Sequence, residues 1–233
     1  MYSIILPSYN EKENLPLLIT KIKFYLKNKR FNIYIIDDHS NDGSEEAIRK
    51  KFKTDKRILF IARKKYPRSL GRSVGEGISM SKNDKIIVMD TDFNHNPKYL
   101  LTLINQHEKF NYSLVCGSRF LNKSPKKLKS RYKMSKIYNL IMRPIMRSKI
   151  SDNLSGFFLI DRRIIDKDLF NKIFYGYGDY YIRLLHYLQK TNNSNIKEIS
   201  IVYDERKFGL SKTKFVNIFL KYTFEIIKLN FKQ

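Results

Sequence analysis

The sequence predicts an α/β fold: a mainly parallel sheet flanked by helices, with basic amphipathic helices in the C-terminal half. Three observations predict it. Through the first half, short apolar runs alternate with helix-length amphipathic stretches, which implies right-handed βαβ units. The run Ile86-Ile87-Val88-Met89 stops abruptly at Asp90-Thr91-Asp92, as a buried strand does on reaching the carboxyl edge of a sheet. From Lys123 onward the strand-like runs give way to lysine-rich helical patterns.

Taken in order, Ser3 to Leu6 reads as a strand. Glu13 to Lys27 reads as a helix, because Leu15, Leu18, Ile19, Ile22 and Tyr25 fall on one face. Asn32 to Ile36 is a second strand, ending in Asp37-Asp38. Ser44 to Phe52 is a helix, preceded by the turn-forming Asn41-Asp42-Gly43. Ile58 to Ala62 is a third strand, followed by a loop from Lys64 to Arg68 and a helix from Gly71 to Ser81. The Ile86 strand comes next, then a helix from Pro97 to Lys109 with proline in its first turn, then a strand from Ser113 to Cys116. The pattern is that of a nucleotide-binding α/β layer, whose ligands lie at the strands' carboxyl ends.

Between Lys123 and Lys149 there are ten basic residues and no acidic one, interleaved with Leu128, Tyr132, Met134, Ile137, Tyr138, Ile141, Ile145 and Met146. This predicts a basic amphipathic helix, kinked at Pro144. A similar pattern closes the chain, with Phe215, Ile218, Phe219, Tyr222, Phe224, Ile226, Ile227, Leu229 and Phe231 among lysines. Such helices suit an anionic membrane surface, and they also suit packing on a core with solvated lysines. The net charge of +24 draws polyanions: nucleic acid, anionic lipid or phosphate-bearing substrates. No run approaches the ~20 apolar residues of a membrane-spanning helix. The first apolar run stops at Pro7, too short for a signal peptide. The single cysteine, Cys116, excludes a disulfide framework and reads as a small core residue.

Three successive strand ends carry polar or acidic groups: Pro7-Ser8-Tyr9-Asn10-Glu11, the block Asp37 to Ser44, and Asp90-Thr91-Asp92. Two carboxylates one residue apart repel unless a cation lies between them, so the last pair is a candidate metal site. Alone it is equally compatible with an acidic turn in which Asp92 or Asn94 caps the next helix. Three such ends converging on one sheet edge favour metal-plus-nucleotide binding. His95, His107 and His186 lack zinc-ligand spacing. No nucleic-acid recognition motif occurs, and uncompensated acidic strand ends would repel a phosphate backbone.

These segments, in this order, resemble the family 2 glycosyltransferases, and among them the dolichyl- or polyprenyl-phosphate mannosyltransferases and glucosyltransferases. The resemblance rests on Leu6-Pro7-Ser8-Tyr9-Asn10-Glu11, the Asp-Asp-x-Ser-x-Asp-Gly-Ser block at 37–44, Leu70-Gly71-Arg72 and Asp90-x-Asp92 followed by His95 and Pro97. It continues through Gly117-Ser118-Arg119-Phe120, Ser151 to Phe157 and Arg206 to Lys212. It implies a GT-A type, Rossmann-like catalytic domain over residues 1–211, with a nucleotide-sugar half at 1–120 and an acceptor half at 121–211. The acceptor half would carry an interfacial helix at 125–149, and a C-terminal amphipathic helix would occupy 212–233.

By the same resemblance, Pro7, Tyr9, Glu11, Asp38, Gly71, Asp90 and Arg206 match positions that hold the nucleotide-sugar. Asp90 and Asp92 match the metal-binding pair for Mg²⁺ or Mn²⁺. Asn94 matches a third oxygen ligand, one methylene shorter than the glutamine common in relatives. Arg119, Arg131 and Lys212 match basic positions around the acceptor phosphate. Asp92, Asp152 and Arg119 form the expected catalytic set, with Asp152 positioning rather than acting as a base. His39 replaces the usual Gly or Asn of its block, and the hydrophobic tail of many relatives is missing. The implied activity is inverting, metal-dependent transfer of a hexose to dolichyl or polyprenyl phosphate at the cytoplasmic membrane face, with mannose from GDP-mannose first among donors. The chain would reach its lipid acceptor through its amphipathic helices or through a separate membrane-anchoring partner. The alternative is use of UDP-glucose or UDP-N-acetylglucosamine in cell-surface polysaccharide or glycolipid synthesis.

Overall fold

A computed structural model describes residues 1–64, 67–121, 130–190, 195–204, 208 and 215–231. The strands are β1 (Tyr2–Ser8), β2 (Phe31–Asp37), β3 (Ile58–Ala62), β4 (Lys85–Val88), β5 (Leu114–Ser118), β6 (Phe158–Asp161) and β7 (Ile196–Ser200). The helices are α1 (Asn14–Tyr25), α2 (Ser44–Lys51), α3 (Leu70–Met80), α4 (Leu100–Phe110), α5 (Ser130–Ile145), α6 (Lys167–Ile173), α7 (Asp179–Lys190) and α8 (Phe215–Phe231). The sheet order is β3-β2-β1-β4-β6-β5-β7, parallel except for β6, which runs against both neighbours.

This topology gathers the polar strand ends at one edge of the sheet. Ser8 pairs with Asp37 and Asp37 with Ala62, so β1, β2 and β3 end level. β4 ends at the same edge. Because β6 is antiparallel, its entry at Phe158 lies opposite Val88 and Cys116. The loop before it therefore reaches the edge where β4 and β5 finish.

The strands alternate between two apolar layers, as a period of two demands. Ile4, Leu6, Ile33, Ile35 and Ile87 pack with α1 (Leu15, Leu18, Ile19, Ile22) and α4 (Leu100, Leu103, Ile104). Ile5, Tyr34, Ile36, Ile86 and Val88 pack with α3 (Val74, Ile78) and α7 (Tyr181, Leu184, Leu185). A third cluster, Met146, Ile182, Tyr222, Ile226 and Leu229, seats α8 on the body. Cys116 is buried in the second layer.

Two local expectations change. α5 ends at Ile145, not residue 149: Pro144 has no N–H for the helix ladder, and Arg147 turns the chain with φ 49°. Residues 122–129 lie outside the described residues. α4 is entered through a 3₁₀ turn at Pro97–Tyr99, capped by Asn96, whose Oδ1 accepts the Lys98 N–H at 2.9 Å. Neither Asp92 nor Asn94 is that cap.

α5 and α8 pack side by side. Tyr138 stacks on Phe219 with centroids 4.5 Å apart, and its hydroxyl meets Thr223 Oγ1 at 3.1 Å. Flanking this seam, helical spacing places exposed Met134, Ile137, Ile141 and Ile145 on α5 and exposed Leu220, Phe224 and Ile227 on α8.

Candidate active site

The loops after β1 and β2 are fastened by the polar residues of the Asp37 to Ser44 block. Asp37 accepts the Ser40 N–H (2.9 Å) and hydroxyl (2.6 Å). Ser40 Oγ in turn accepts the Asn10 N–H at 2.7 Å. Asp42 accepts the Lys12 N–H (2.9 Å) and the Ser44 hydroxyl (2.5 Å). Glu11 is buried, with its N–H on Ser44 Oγ (3.3 Å) and its carboxylate accepting from Asn14 Nδ2 (2.5 Å). The Arg68 guanidinium lies 3.1 Å from the centroid of the Tyr9 ring.

Asp38 reaches across to the next elements. One oxygen pairs with Nη1 of the buried Arg63, and the other accepts the Ser69 N–H at 2.7 Å. Arg63 also binds Glu76 (3.0 Å) and Ser73 Oγ (3.2 Å). Asp38 is thereby fixed at the N-terminus of α3, beside a cleft of about 370 Å³ lined by Asp37, His39, Ser40, Ala62, Arg63 and Lys64. His39 adopts φ 67°, and its Nδ1 lies 3.2 Å from Asp38. A Cβ on Gly71 would lie 2.2 Å from the Tyr175 carbonyl oxygen, so the glycine is required by the 175–176 loop whatever else approaches it.

At the end of β4, His95 organises the aspartates. It is fully buried and stacks on Phe157 (4.9 Å, 18°). Its Nδ1 accepts the Asp90 N–H at 2.9 Å, so the ring proton sits on Nε2 and is given to the Ser155 carbonyl (3.1 Å) or the Tyr203 hydroxyl (2.8 Å). Burial pushes the imidazole down to about 4, against the pull of Asp92. His95 is therefore neutral at pH 7 and orients Asp90. Thr91 Oγ1 reaches back to the Pro7 carbonyl at 3.4 Å, joining this turn to β1.

The Asp92 carboxylate accepts the Asn94 N–H (3.1 Å) and the Asn94 side-chain Nδ2 (2.8 Å). With its amide nitrogen turned to Asp92, Asn94 orients that carboxylate. No cluster of three or more His, Cys, Asp or Glu able to hold a metal occurs among the described residues. Two carboxylates at a half-exposed edge suit a Mg²⁺-like ion that takes its remaining oxygens from substrate phosphates and water, rather than a closed protein cage.

Arg119 and Asp152 form the second centre. Asp152 is fully buried, and Arg119 grips it in a fork: Nε to Oδ2 and Nη2 to Oδ1, both 2.7 Å. Burial acts to lower the Arg119 pKa, but the Asp152 carboxylate outweighs it and holds the guanidinium above its ordinary value. The guanidinium carbon lies 4.7 Å from the Tyr203 ring centroid, and Nη2 meets Ser135 Oγ of α5 at 3.2 Å. Tyr203 thus stands between the two centres, bonded to His95 and stacked against Arg119.

The structure brings Pro7, Tyr9, Glu11, Asp38 and Gly71 to one stretch of the sheet edge. It brings Asp90, Asp92, Asn94, Arg119 and Asp152 to the next. Arg206, Lys212 and the Arg131 side chain lie outside the described residues. Sequence reasoning missed Arg63, Arg68 and Tyr203. Arg63 carried a usable signal, as the base directly after β3, level with the acidic end of β2. Tyr203 carried none.

A model of the family described as Glycosyl transferase family 2 matches residues 3–169. The chain is 28% identical to a dolichol-phosphate mannosyltransferase of Pyrococcus furiosus over 97% of its own length and 63% of that protein's. It therefore spans under two thirds of that relative. It is 26% identical to a polyprenol monophosphomannose synthase of Mycolicibacterium smegmatis, covering 92% of the chain and 82% of the relative. Among solved structures, glucosyl-3-phosphoglycerate synthase of Mycobacterium tuberculosis in complex with Mn²⁺, UDP and phosphoglyceric acid superposes with a TM-score of 0.76. That match is at 12% identity, over 99% of this chain and 78% of that one. The same enzyme with Mg²⁺ and UDP gives a TM-score of 0.73 at 14% identity, over 98% and 79%. These likenesses to solved structures are of fold.

Proposed function

The chain belongs to glycosyl transferase family 2, and on that premise we propose that it transfers a hexose, with inversion, from a nucleotide-sugar to a polyprenyl or dolichyl phosphate at the cytoplasmic membrane face. GDP-mannose is the first-choice donor, because both curated relatives named above are mannosyl enzymes by name. The observation that carries the proposal is the meeting of two opposite centres through Tyr203: the Asp90–Asp92 turn and the Arg119–Asp152 fork. A transfer between two phosphates needs both an anion-tolerant metal seat and a fixed cation.

Asp90 and Asp92 would hold Mg²⁺ or Mn²⁺, which when bound would offset the negative charge on the leaving nucleoside diphosphate. Asp38, held by Arg63 and Ser69, forms the wall for the base and ribose, with Tyr9 and Glu11 beside it. Arg119 supplies a preorganised cation for the acceptor phosphate. Such an acceptor is already an anion and needs positioning more than a general base. On the family resemblance, Arg131 and Lys212 would add charge for it and Arg206 would serve the donor diphosphate.

The test is a donor panel of GDP-mannose, UDP-glucose and UDP-N-acetylglucosamine, offered with a short-chain polyprenyl phosphate. Transfer of mannose is expected. Transfer from a UDP-sugar only would establish the alternative donor, and no transfer to the lipid phosphate from any donor would overturn the acceptor assignment.

The membrane reading rests on the α5–α8 face. No helix among the described residues is long and apolar enough to cross a membrane. The two helices instead offer eight exposed apolar side chains, the seven named above and Leu140, and Lys133, Lys136 and Lys221 on the same helices are also exposed. The one acidic residue of the two helices, Glu225, is buried against Arg183 (3.2 Å) and Tyr175 (2.9 Å). An apolar face with basic flanks and no exposed acid complements an anionic monolayer. The protein is expected to sediment with anionic vesicles and to release at high salt. Phe224→Asp is expected to weaken binding about tenfold or more, from the ~1.5–3 kcal/mol of one buried apolar side chain. Equal sedimentation of wild type and variant would remove this face from the interaction.

A further inference from the structure

The segment 151–154 is irregular, yet its backbone donors are all spoken for by side chains. The Ser151 N–H donates to Glu198 Oε2 at 2.9 Å, and the Asp152 N–H to Glu198 Oε1 at 3.1 Å. The Asn153 N–H donates to Asn139 Oδ1 at 2.8 Å. The Leu154 N–H closes on Asp152 Oδ1 at 3.3 Å. Four successive amides outside any ladder are thus held by side chains, and two of the three acceptor residues come from distant elements: Glu198 from β7 and Asn139 from α5.

Both acceptors are themselves fixed. Glu198 also accepts the Ser151 hydroxyl at 2.8 Å, and that hydroxyl meets Ser118 Oγ at 2.7 Å. Asn139 is buried and donates to the Ser135 carbonyl at 2.9 Å, one turn back on α5. Ser135 is the residue whose hydroxyl receives Arg119 Nη2. The Asn153 side chain completes the grip, accepting from the Ser148 hydroxyl at 2.7 Å and donating to the Ile150 carbonyl at 2.9 Å.

What this arrangement fixes is the direction of one carboxylate. Asp152 has no exposure and, among the described residues, is paired with the cation of Arg119, whose own N–H also donates to Asp152 Oδ2 at 3.1 Å. If the loop rotated, the fork would rotate with it, and the guanidinium would leave its place against Tyr203. We propose that Glu198 and Asn139 are positioning residues for sugar transfer, clamping the Asp152 loop from either side so that Asp152 sets the aim of Arg119. The inference rests on the proposed role of Arg119. It adds that α5, whose outer face meets lipid, holds the reaction pair with its inner face.

Steady-state kinetics of Glu198→Ala, Glu198→Gln and Asn139→Ala in the full chain test it, with vesicles and short-chain polyprenyl phosphate present. Glu198→Ala and Asn139→Ala are expected to lower kcat about 10- to 100-fold while donor KM stays within about twofold, the signature of a misplaced group. Glu198→Gln keeps one acceptor oxygen and is expected to recover part of kcat. In an Asp152→Asn background, Glu198→Ala is expected to cost little more, because both act through one carboxylate. A lowered Tm with unchanged kcat in both alanine variants would reduce the clamp to a structural role, and a full multiplicative loss with Asp152→Asn would also overturn it. Absence of transfer by the wild type would instead remove the proposed acceptor, a result distinct from wild-type transfer with unaffected clamp variants.

Discussion

Asp92→Ala is expected to lower sugar transfer about 10³-fold, roughly 4 kcal/mol of transition-state stabilisation, while leaving the fold intact. The size follows from the sparseness of the seat. With only Asp90 and Asp92 as carboxylates at this turn, and no third His, Cys, Asp or Glu to complete a cluster among the described residues, loss of one removes half of the protein's anionic ligands. The fold should survive because the turn is held by other bonds. The Asp90 N–H is on His95, Thr91 is tied to the Pro7 carbonyl, and the chain continues into a helix capped by Asn96. Activity is measured against Mg²⁺ and Mn²⁺ titrations, with Tm as the control. Transfer retained by the variant without added metal would end the metal assignment. Asn94→Ala makes a useful companion: it removes the side-chain bond from Nδ2 that aims Asp92 but keeps the backbone N–H and both carboxylates, so its loss should be much the smaller.

Much of the fold was legible because the first five strands are apolar runs that stop at polar residues, and each helix between them has one apolar face. Legibility failed where both faces are covered. β6 is a four-residue strand buried on both sides, too short to show any period. α7 buries Tyr180 to His186 in succession, and its polar stripe of Asp179, Arg183 and His186 is turned into the protein rather than to solvent. β7 carries Lys197 and Glu198 between half-buried Ile196 and buried Ile199, and reads as a polar connection.

The site was legible at the level of residue type and less so at the level of contact. The Asp37 to Ser44 block was visible as a cluster, but one side chain of it, Asp38, crosses to α3; Asp37, Ser40, Asp42 and Ser44 tie loops together. Arg63 was overlooked because a buried arginine is rare without a partner, and its partners lie 13 and 25 residues away in sequence. The Asp152 loop shows the same limit: its acceptors Asn139 and Glu198 sit 14 and 46 residues from their amides. Spacing rules read one helix or one strand at a time. They do not see bonds that only the closed sheet brings together.

Arg119→Ala is expected to be the most damaging substitution to stability and to abolish measurable transfer as well. It leaves Asp152 buried without its counter-charge, a defect that costs about 3–5 kcal/mol when one partner of a buried pair is removed. The same change deletes the cation assigned to the acceptor phosphate, worth about 10²- to 10³-fold in rate. The two losses are separable. Arg119→Ala combined with Asp152→Ala no longer strands a charge, so the double variant is expected to recover a good part of the unfolding free energy in urea while transfer stays lost. Arg119→Lys keeps the charge but not the fork, because a single ammonium cannot match both carboxylate oxygens; it should fold and transfer slowly, with kcat reduced more than donor KM is raised. If the double variant regained transfer along with stability, the guanidinium would be holding Asp152 in place for the fold and doing nothing for the reaction.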